Sequence, residues 1–114
     1  MINEDGVDKI VVDLEELKGN QLNESFVAAF GNIVKLLLNR MFGQGKGSYG
    51  PYVTIRGKKS DINSFIRTLG NEKKYIDAIR KYGLDDPRVT SNKAKLKTAV
   101  KSFERTTGIK WPFK

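Results

Sequence analysis

The sequence predicts an α+β fold that is mostly α, with about four helices, one or two short strands and a disordered acidic N-terminal arm. Helical spacing, with apolar side chains at steps of three and four residues, occurs in four segments: 23–42, 60–69, 71–82 and 86–107. Two short stretches, 10–14 and 52–56, instead alternate apolar and polar residues as a half-buried strand does. The length of 114 residues favours one domain with one modest core.

Residues 1–22 are predicted to form the acidic, partly disordered arm. Residues 1–24 carry a net charge of −5, whereas the rest of the chain carries +13. In "KIVVDL", Ile10, Val12 and Leu14 share one alternating face, which is typical of a strand, but Leu14 and Leu17 also follow helical spacing. We expect the arm either to fold back onto the basic body or to act as a separate interaction tail.

A helix with a wide apolar face is predicted over residues 23–43, with Asn23 or Ser25 as its cap and Gly43 at its end. Its apolar residues cover more of the circumference than one stripe would. Such a helix is either central to the core or partly buried against another subunit, and the pattern leaves both open. The candidate self-association residues are Phe26, Phe30, Val34, Leu38 and Phe42.

The glycine-rich segment 44–51 is predicted to be a hinge rather than a phosphate-binding loop. A P-loop requires Ser or Thr after its Gly-Lys pair, but Gly45-Lys46 is followed by Gly47. A P-loop also follows a strand and precedes a helix, and the predicted order here is the reverse. The letters G-x-G-x-x-G also occur, yet a proline and a strand follow them instead of the helix that a dinucleotide site needs.

Residues 52–114 are predicted to form a compact basic body of one strand and three helices. The first of these helices is expected to stop at Gly70, and the second to run from Asn71 to Gly83. The third is expected to begin at the Asp86-Pro87 pair, or later at Ser91 or Asn92, and to end at Gly108. The aromatic residues of the closing "IKWPFK" are expected to fasten this tail onto the body.

A row of basic side chains recurs at every fourth position of the last predicted helix. Such a row is commonly a solvated face, and it is also what a surface that binds phosphate backbones needs. Because lysine predominates and no exposed aromatic residue is clearly interleaved, any binding to nucleic acid is expected to be independent of sequence. The candidate nucleic-acid residues are Lys93, Lys97, Lys101, Arg105, Lys73 and Lys74.

Catalytic residues are sparse in this chain. It has no histidine and no cysteine, so the commonest general base and the thiolate ligands are missing. Asp85 and Asp86 are explained by helix capping, and most other acids lie in the arm. We therefore expect no enzyme, cofactor, metal site or small-molecule substrate. No membrane partner is expected either, because no uninterrupted apolar run reaches about 18 residues.

Two stretches, "VTIRGKKSDINSFIRTLGNEKKYIDAIRKYGLDDPRV" and "FERTTGIKWPFK", carry a family resemblance. Over roughly residues 24–114 the chain resembles small structural proteins, of the prohead core or scaffold type, of large contractile-tailed bacteriophages. The resemblance implies a non-enzymatic head core or capsid-associated protein that binds itself or other virion proteins. It implies a location in the host cytoplasm during assembly, with the virion as the alternative. Core proteins of this kind are often strongly acidic, whereas this body is basic, which leaves open a protein that faces packaged DNA.

The resemblance also implies proteolytic processing. In such phages the maturation protease cuts after a triplet of a hydrophobic residue, any residue and Glu. Three triplets of this form end at Glu4, Glu16 and Glu24. Cutting after Glu24 would remove the −5 arm, although an arm rich in acids also produces such triplets by chance.

Overall fold

The computed structural model describes residues 10–43 and 53–113. Its elements, in chain order, are β1 (Ile10–Asp13), α1 (Leu14–Lys18), α2 (Glu24–Gly43), β2 (Val53–Arg56), α3 (Lys59–Tyr82) and α4 (Pro87–Thr107). The predicted fold, mostly α with four helices and two short strands, is confirmed. Residues 1–9 of the predicted partly disordered arm and the predicted hinge at 44–51 lie outside the described residues.

The chain divides into two compact units. Unit 1 takes in the described residues up to Lys58 together with Pro112 and Phe113, and unit 2 is Lys59–Trp111. Strand β2, which was predicted to belong to one body with the helices that follow it, is therefore in unit 1.

Unit 1 is built on a two-stranded parallel sheet. Ile10 lies opposite Val53 and Asp13 lies opposite Arg56. Parallel strands need a long crossover connection between them, and α1 and α2 lie within that connection. Both interpretations of "KIVVDL" hold in part, because β1 ends at Asp13 and α1 begins at the next residue.

Helix caps fix where the two helices of unit 1 begin. The Asp13 side chain accepts a hydrogen bond from the backbone N–H of Glu16 at 3.1 Å and so caps α1. Asn23 Oδ1 accepts from the backbone N–H of Ser25 at 2.9 Å and from that of Phe26 at 3.3 Å. Asn23 is therefore the cap of α2, as the first of the two predicted alternatives had it.

Among the described side chains of unit 1, the buried ones are apolar and come from β1, α1 and α2. They are Val12, Leu14, Leu17, Phe30, Val34, Leu37 and Leu38. Gly57, directly after β2, has a φ of +146° that a residue with a side chain rarely adopts. A Cβ atom there would lie 3.2 Å from Leu14 Cβ, so the chain needs glycine at this position.

Unit 2 is a hairpin of two long helices, and the first of them differs from the prediction. Helix α3 runs without a break from Lys59 to Tyr82, so the predicted stop at Gly70 is wrong. Glycine lowers helix stability but does not end a helix that packing supports. The Asn71 side chain does not cap a new helix either, because its Nδ2 donates back to Arg67 O at 2.9 Å.

Helix α4 has the predicted ends. Asp86 accepts from the backbone N–H of Arg88 at 2.8 Å as the N-cap, and Pro87 occupies the first helical position. Gly108 ends the helix with a φ of +75°. The later start at Ser91 or Asn92 is therefore ruled out.

An aromatic cluster closes the core of unit 2. The rings of Phe65, Phe103 and Trp111 are buried, with centroids 5.3 to 6.2 Å apart. Ile109 is fully buried as well. The prediction that the aromatic residues of the closing tail fasten it onto the body is confirmed for Trp111.

Candidate nucleic-acid interface

The basic row of α4 lies fully on the surface. Lys93, Lys97, Lys101 and Arg105 are all exposed, and none forms an ion pair or hydrogen bond with the described part of the chain. Four residues of an α-helix rise about 6 Å, so the row presents one cation at about that interval. It turns by about 40° at each step, because four residues exceed one helical turn.

Three contacts fix how α3 and α4 lie against each other. Thr68 Oγ1 is 3.3 Å from Ala99 O, and the Phe65 and Phe103 rings pack at 6.2 Å. Nearer the turn, the Arg88 guanidinium lies 3.5 Å from the centroid of the Tyr82 ring. The helices are antiparallel, and the contact between Arg88 and Tyr82 marks one edge of the hairpin.

The opposite edge of the hairpin collects lysines from both helices. Lys73 precedes Tyr82 by nine residues and Lys97 follows Arg88 by nine. Nine residues are two and a half turns, so both lysines point about half a turn away from the contact between Arg88 and Tyr82. Lys93 and Lys101 flank Lys97 at about 40° to either side. We call Lys73, Lys93, Lys97 and Lys101 the basic edge.

Two of the six predicted residues do not join the basic edge. Lys74 is about 100° around α3 from Lys73, and Arg105 has turned about 80° past Lys97 on α4. Both are exposed on the outer side of their helices. Within the edge, Lys73 also differs from the others, because its Nζ is 2.8 Å from the Asp77 carboxylate.

Charge is concentrated in this hairpin. Unit 2 carries 13 basic and 6 acidic side chains, whereas all seven acids of unit 1 lie within its first 24 residues. Helix α4 has six basic residues and one acid, Glu104. Glu104 Oε2 accepts from the backbone N–H of Trp111 at 2.9 Å, so this acid is engaged by the C-terminal segment. The three α4 lysines of the basic edge keep their charges uncompensated.

The predicted self-association residues of α2 are largely internal. Phe30, Val34 and Leu38 are buried within the chain, and Phe26 is half-buried. The side chain of Phe42 lies outside the described residues. A partner of α2 would therefore meet other side chains of this helix, of which Val27 and Leu36 are exposed apolar ones.

The structure separates the three predicted processing triplets. The triplet ending at Glu16 lies in α1 and begins with Leu14, which is fully buried. The triplet ending at Glu24 begins with Leu22, which is fully exposed in the segment between α1 and α2. The triplet ending at Glu4 lies outside the described residues. Residues 10–18 form β1 and α1 of unit 1, so a cut after Glu24 would separate these two folded elements from the rest of the chain.

Other kinds of site find little support in the described residues. No group of three or more acidic side chains among them is placed to hold a metal ion. No helix in the described ranges is long and apolar enough to span a membrane. Lys46, in the glycine-rich segment, lies outside those ranges.

Sequence reasoning missed a buried carboxylate in unit 2. Glu72 is almost fully buried, and its Oε1 accepts from Trp111 Nε1 at 2.9 Å. Burial raises the pKa of the Glu72 carboxyl above its ordinary 4.5, and the hydrogen bond from Trp111 opposes that rise. A signal existed: Glu72 is in helical register with Leu69 and Ile76. Because a helix break was predicted at Gly70, Leu69 and Glu72 were not assigned to the same helix face.

Comparisons of the chain with protein-family models, with curated proteins and with solved structures find no match. Its function is therefore argued from its own residues.

Proposed function

We propose that unit 2 binds the phosphate backbone of nucleic acid through its basic edge, without reading sequence, and performs no catalysis. One observation carries the proposal: Lys93, Lys97 and Lys101 are exposed along one edge of the hairpin and have no partner in the described part of the chain. In a face that serves only solubility, such lysines commonly alternate with acids along the helix. Here Glu104 is the single acid of α4.

The chemistry of the basic edge fits backbone contact rather than base recognition. Base edges are read best by side chains that form two hydrogen bonds in a fixed geometry, such as Arg with two donors and Asn or Gln with a donor and an acceptor. The basic edge consists of lysines, which act as point charges. Contacts of this kind release counterions, so the logarithm of the binding constant falls by about 0.9 per phosphate contact for each tenfold rise in salt. Three contacts from α4 give a slope of about −3 on duplex DNA.

Fluorescence anisotropy with a short labelled duplex of mixed sequence tests this function. In one variant Lys93, Lys97 and Lys101 are replaced by Gln. In the matched control the same number of charges is removed off the edge, at Lys74, Lys95 and Arg105. At about 50 mM salt we expect the edge variant to lose on the order of tenfold in affinity for each lysine. The control should bind within a few-fold of the wild type.

The dependence on salt provides the second readout. The slope of the wild type should be about −3, and it should move toward zero in the edge variant alone. Equal losses in both variants would mean that net charge, and not this edge, holds the nucleic acid. Absence of binding by the wild-type protein at about 50 mM salt would end the proposal. Circular dichroism of each variant checks that the hairpin is still folded.

A second candidate function is assembly: a non-enzymatic structural protein, of the phage type that the sequence resembles, which binds itself or other virion proteins. It is favoured by three apolar side chains of unit 1, Val11, Val27 and Leu36, which are 37% to 38% exposed. Sedimentation of wild-type protein at rising concentration tests it. If unit 1 mediates assembly, Val27→Ser with Leu36→Ser should lower the association constant, whereas Leu84→Ser in unit 2 should not. A strict monomer at high concentration would count against self-association.

A further inference from the structure

We propose that the basic edge selects double-stranded over single-stranded nucleic acid. This inference rests on the proposed function and names the class of partner for the same surface. It follows from what the edge offers, which is cations from two neighbouring helices, and from what it lacks, which is an aromatic platform for bases.

Proteins that hold single strands combine a basic groove with aromatic side chains on which successive bases stack. Every residue of Lys59–Trp111 is described, so the aromatic residues of unit 2 can be surveyed completely. The rings of the cluster, Phe65, Phe103 and Trp111, are buried. Tyr75 is half-buried. Tyr82 is on the opposite edge, beneath the Arg88 guanidinium at 3.5 Å. Unit 2 therefore offers no stacking surface beside its lysines.

The basic edge takes its cations from two helices, and Lys73 of α3 and Lys97 of α4 lie at one level. The residue numbers of Lys73 and Lys97 add up to the same value as those of Tyr82 and Arg88, which are in contact. In two antiparallel helices, one residue number rises as the other falls along the common axis, so residue pairs with the same sum lie at the same height. Lys73 therefore lies beside Lys97. Axes of packed helices are about 8 to 10 Å apart. The basic edge thus presents the three α4 lysines in one line, with Lys73, which is paired with Asp77, beside them on the neighbouring helix.

Charge density favours the duplex as well. A duplex carries one negative charge for about every 1.7 Å of its axis, and it releases more counterions per contact than a single strand does. Proteins that bind a single strand offset this weaker electrostatic attraction by stacking its bases on aromatic rings, and the basic edge has no such rings. The same three α4 lysines should therefore give a slope of about −3 with duplex and about −2 with a single strand.

The edge also contains a position where a stacking surface can be added. Ile66 precedes Lys73 by seven residues, two helical turns, and so lies on the same edge of α3. Its side chain is 49% exposed. An aromatic ring there would stand among the lysines with room for a base to stack on it.

The experiment compares one labelled strand, free of self-complementarity, with the duplex made from it. The proteins are the full-length wild type, Ile66→Tyr and the control Leu84→Tyr, which adds the same ring at an exposed position in the turn between α3 and α4. We expect the wild type to bind duplex about tenfold more tightly at about 50 mM salt. Ile66→Tyr should raise single-strand affinity about tenfold and change duplex affinity little, and Leu84→Tyr should change neither.

The outcomes separate the two proposals. Equal or tighter binding of the single strand by the wild type overturns the duplex preference and leaves backbone binding standing. A single-strand affinity unchanged in Ile66→Tyr overturns the claim that the missing stacking surface sets the preference. No binding of either form ends both proposals together.

Discussion

Among the described residues of unit 1, the buried side chains are aliphatic apart from Phe30. Its sheet joins segments that are far apart in the chain, since β1 pairs in parallel with β2 across α1 and α2. Unit 2, by contrast, has three buried aromatic rings and several buried polar groups, supplied by two consecutive helices and the segment after them. The long-range sheet makes unit 1 depend on chain closure, whereas unit 2 depends on local caps and one ring cluster. The exposed cations belong mostly to the locally built unit.

The aromatic cluster gives the largest expected effect. Phe103 is fully buried between Phe65 and Trp111. Phe103→Ala should lower the free energy of unfolding by about 3 to 5 kcal/mol, because it leaves a cavity and removes two ring contacts. Urea denaturation followed by the fluorescence of Trp111, the single tryptophan of the chain, measures the loss inside unit 2. Leu84→Ala at the exposed turn is the control and should stay within about 0.5 kcal/mol. A comparable loss in both variants would contradict the ring-cluster account.

Two glycines, one in each unit, should respond in opposite directions. Gly57→Ala in unit 1 should cost about 1 to 3 kcal/mol, because the φ of +146° is strained for alanine and the new Cβ would meet Leu14 at 3.2 Å. Gly70→Ala in unit 2 should stabilise by about 0.5 to 1 kcal/mol, since it lies inside α3 and its Cβ would meet nothing within 4 Å. Thermal unfolding of both variants checks the signs. A destabilising Gly70→Ala would show that α3 needs a break there.

The buried carboxylate should make unit 2 sensitive to pH in a direction opposite to ordinary acid denaturation. Because burial raises the pKa of Glu72 above 4.5, the native state binds the proton more tightly than the unfolded chain does. The contribution of Glu72 to the free energy of unfolding therefore rises as pH falls from neutral through the raised pKa. Glu72→Gln cannot titrate, yet it keeps an acceptor for Trp111 Nε1.

Denaturation of the wild type and Glu72→Gln at pH values from about 7 to about 4 measures the difference in free energy of unfolding between the two proteins. The wild type should gain stability relative to the variant as pH falls, and a constant difference would contradict the expectation.

Asp86 affects stability in a separate pH range and with the opposite sign. Hydrogen bonds from Arg88 lower the pKa of Asp86 to about 2, so its stabilising contribution is lost only as pH falls below about 3.8. That loss is common to both proteins and cancels in the comparison.

Local signals in the sequence predicted the helix ends with success. Asn23, Asp86 and Gly108 occupy the positions that cap chemistry assigns to them, because a cap bonds to backbone within a few residues of itself. The prediction of a helix end at Gly70 was wrong because it, too, rested on a local signal alone. A glycine reports only its own backbone preference, and the packing that carries α3 through it comes from α4.

The candidate site was predicted in part. The row of α4 could be read from its four-residue spacing, and the exposure of its lysines agrees with that interpretation. The sequence could not predict whether α2 packs inside the chain or against a partner, because a wide apolar arc has the same pattern in both cases. In the fold Phe30, Val34 and Leu38 are covered by the chain.

What the sequence determined by itself is a set of local choices: the extent of α2 and α4, the caps at Asn23, Asp86 and Gly108, and the split of charge between an acidic beginning and a basic remainder. The tertiary structure alone decided three further things. It paired β1 with β2, it buried Glu72 against Trp111, and it placed Lys73 of α3 on the same edge as Lys93, Lys97 and Lys101 of α4. The physical reason is range. Caps and helical periods act over a few residues, whereas pairing, burial and the choice of an edge depend on which distant segment packs alongside.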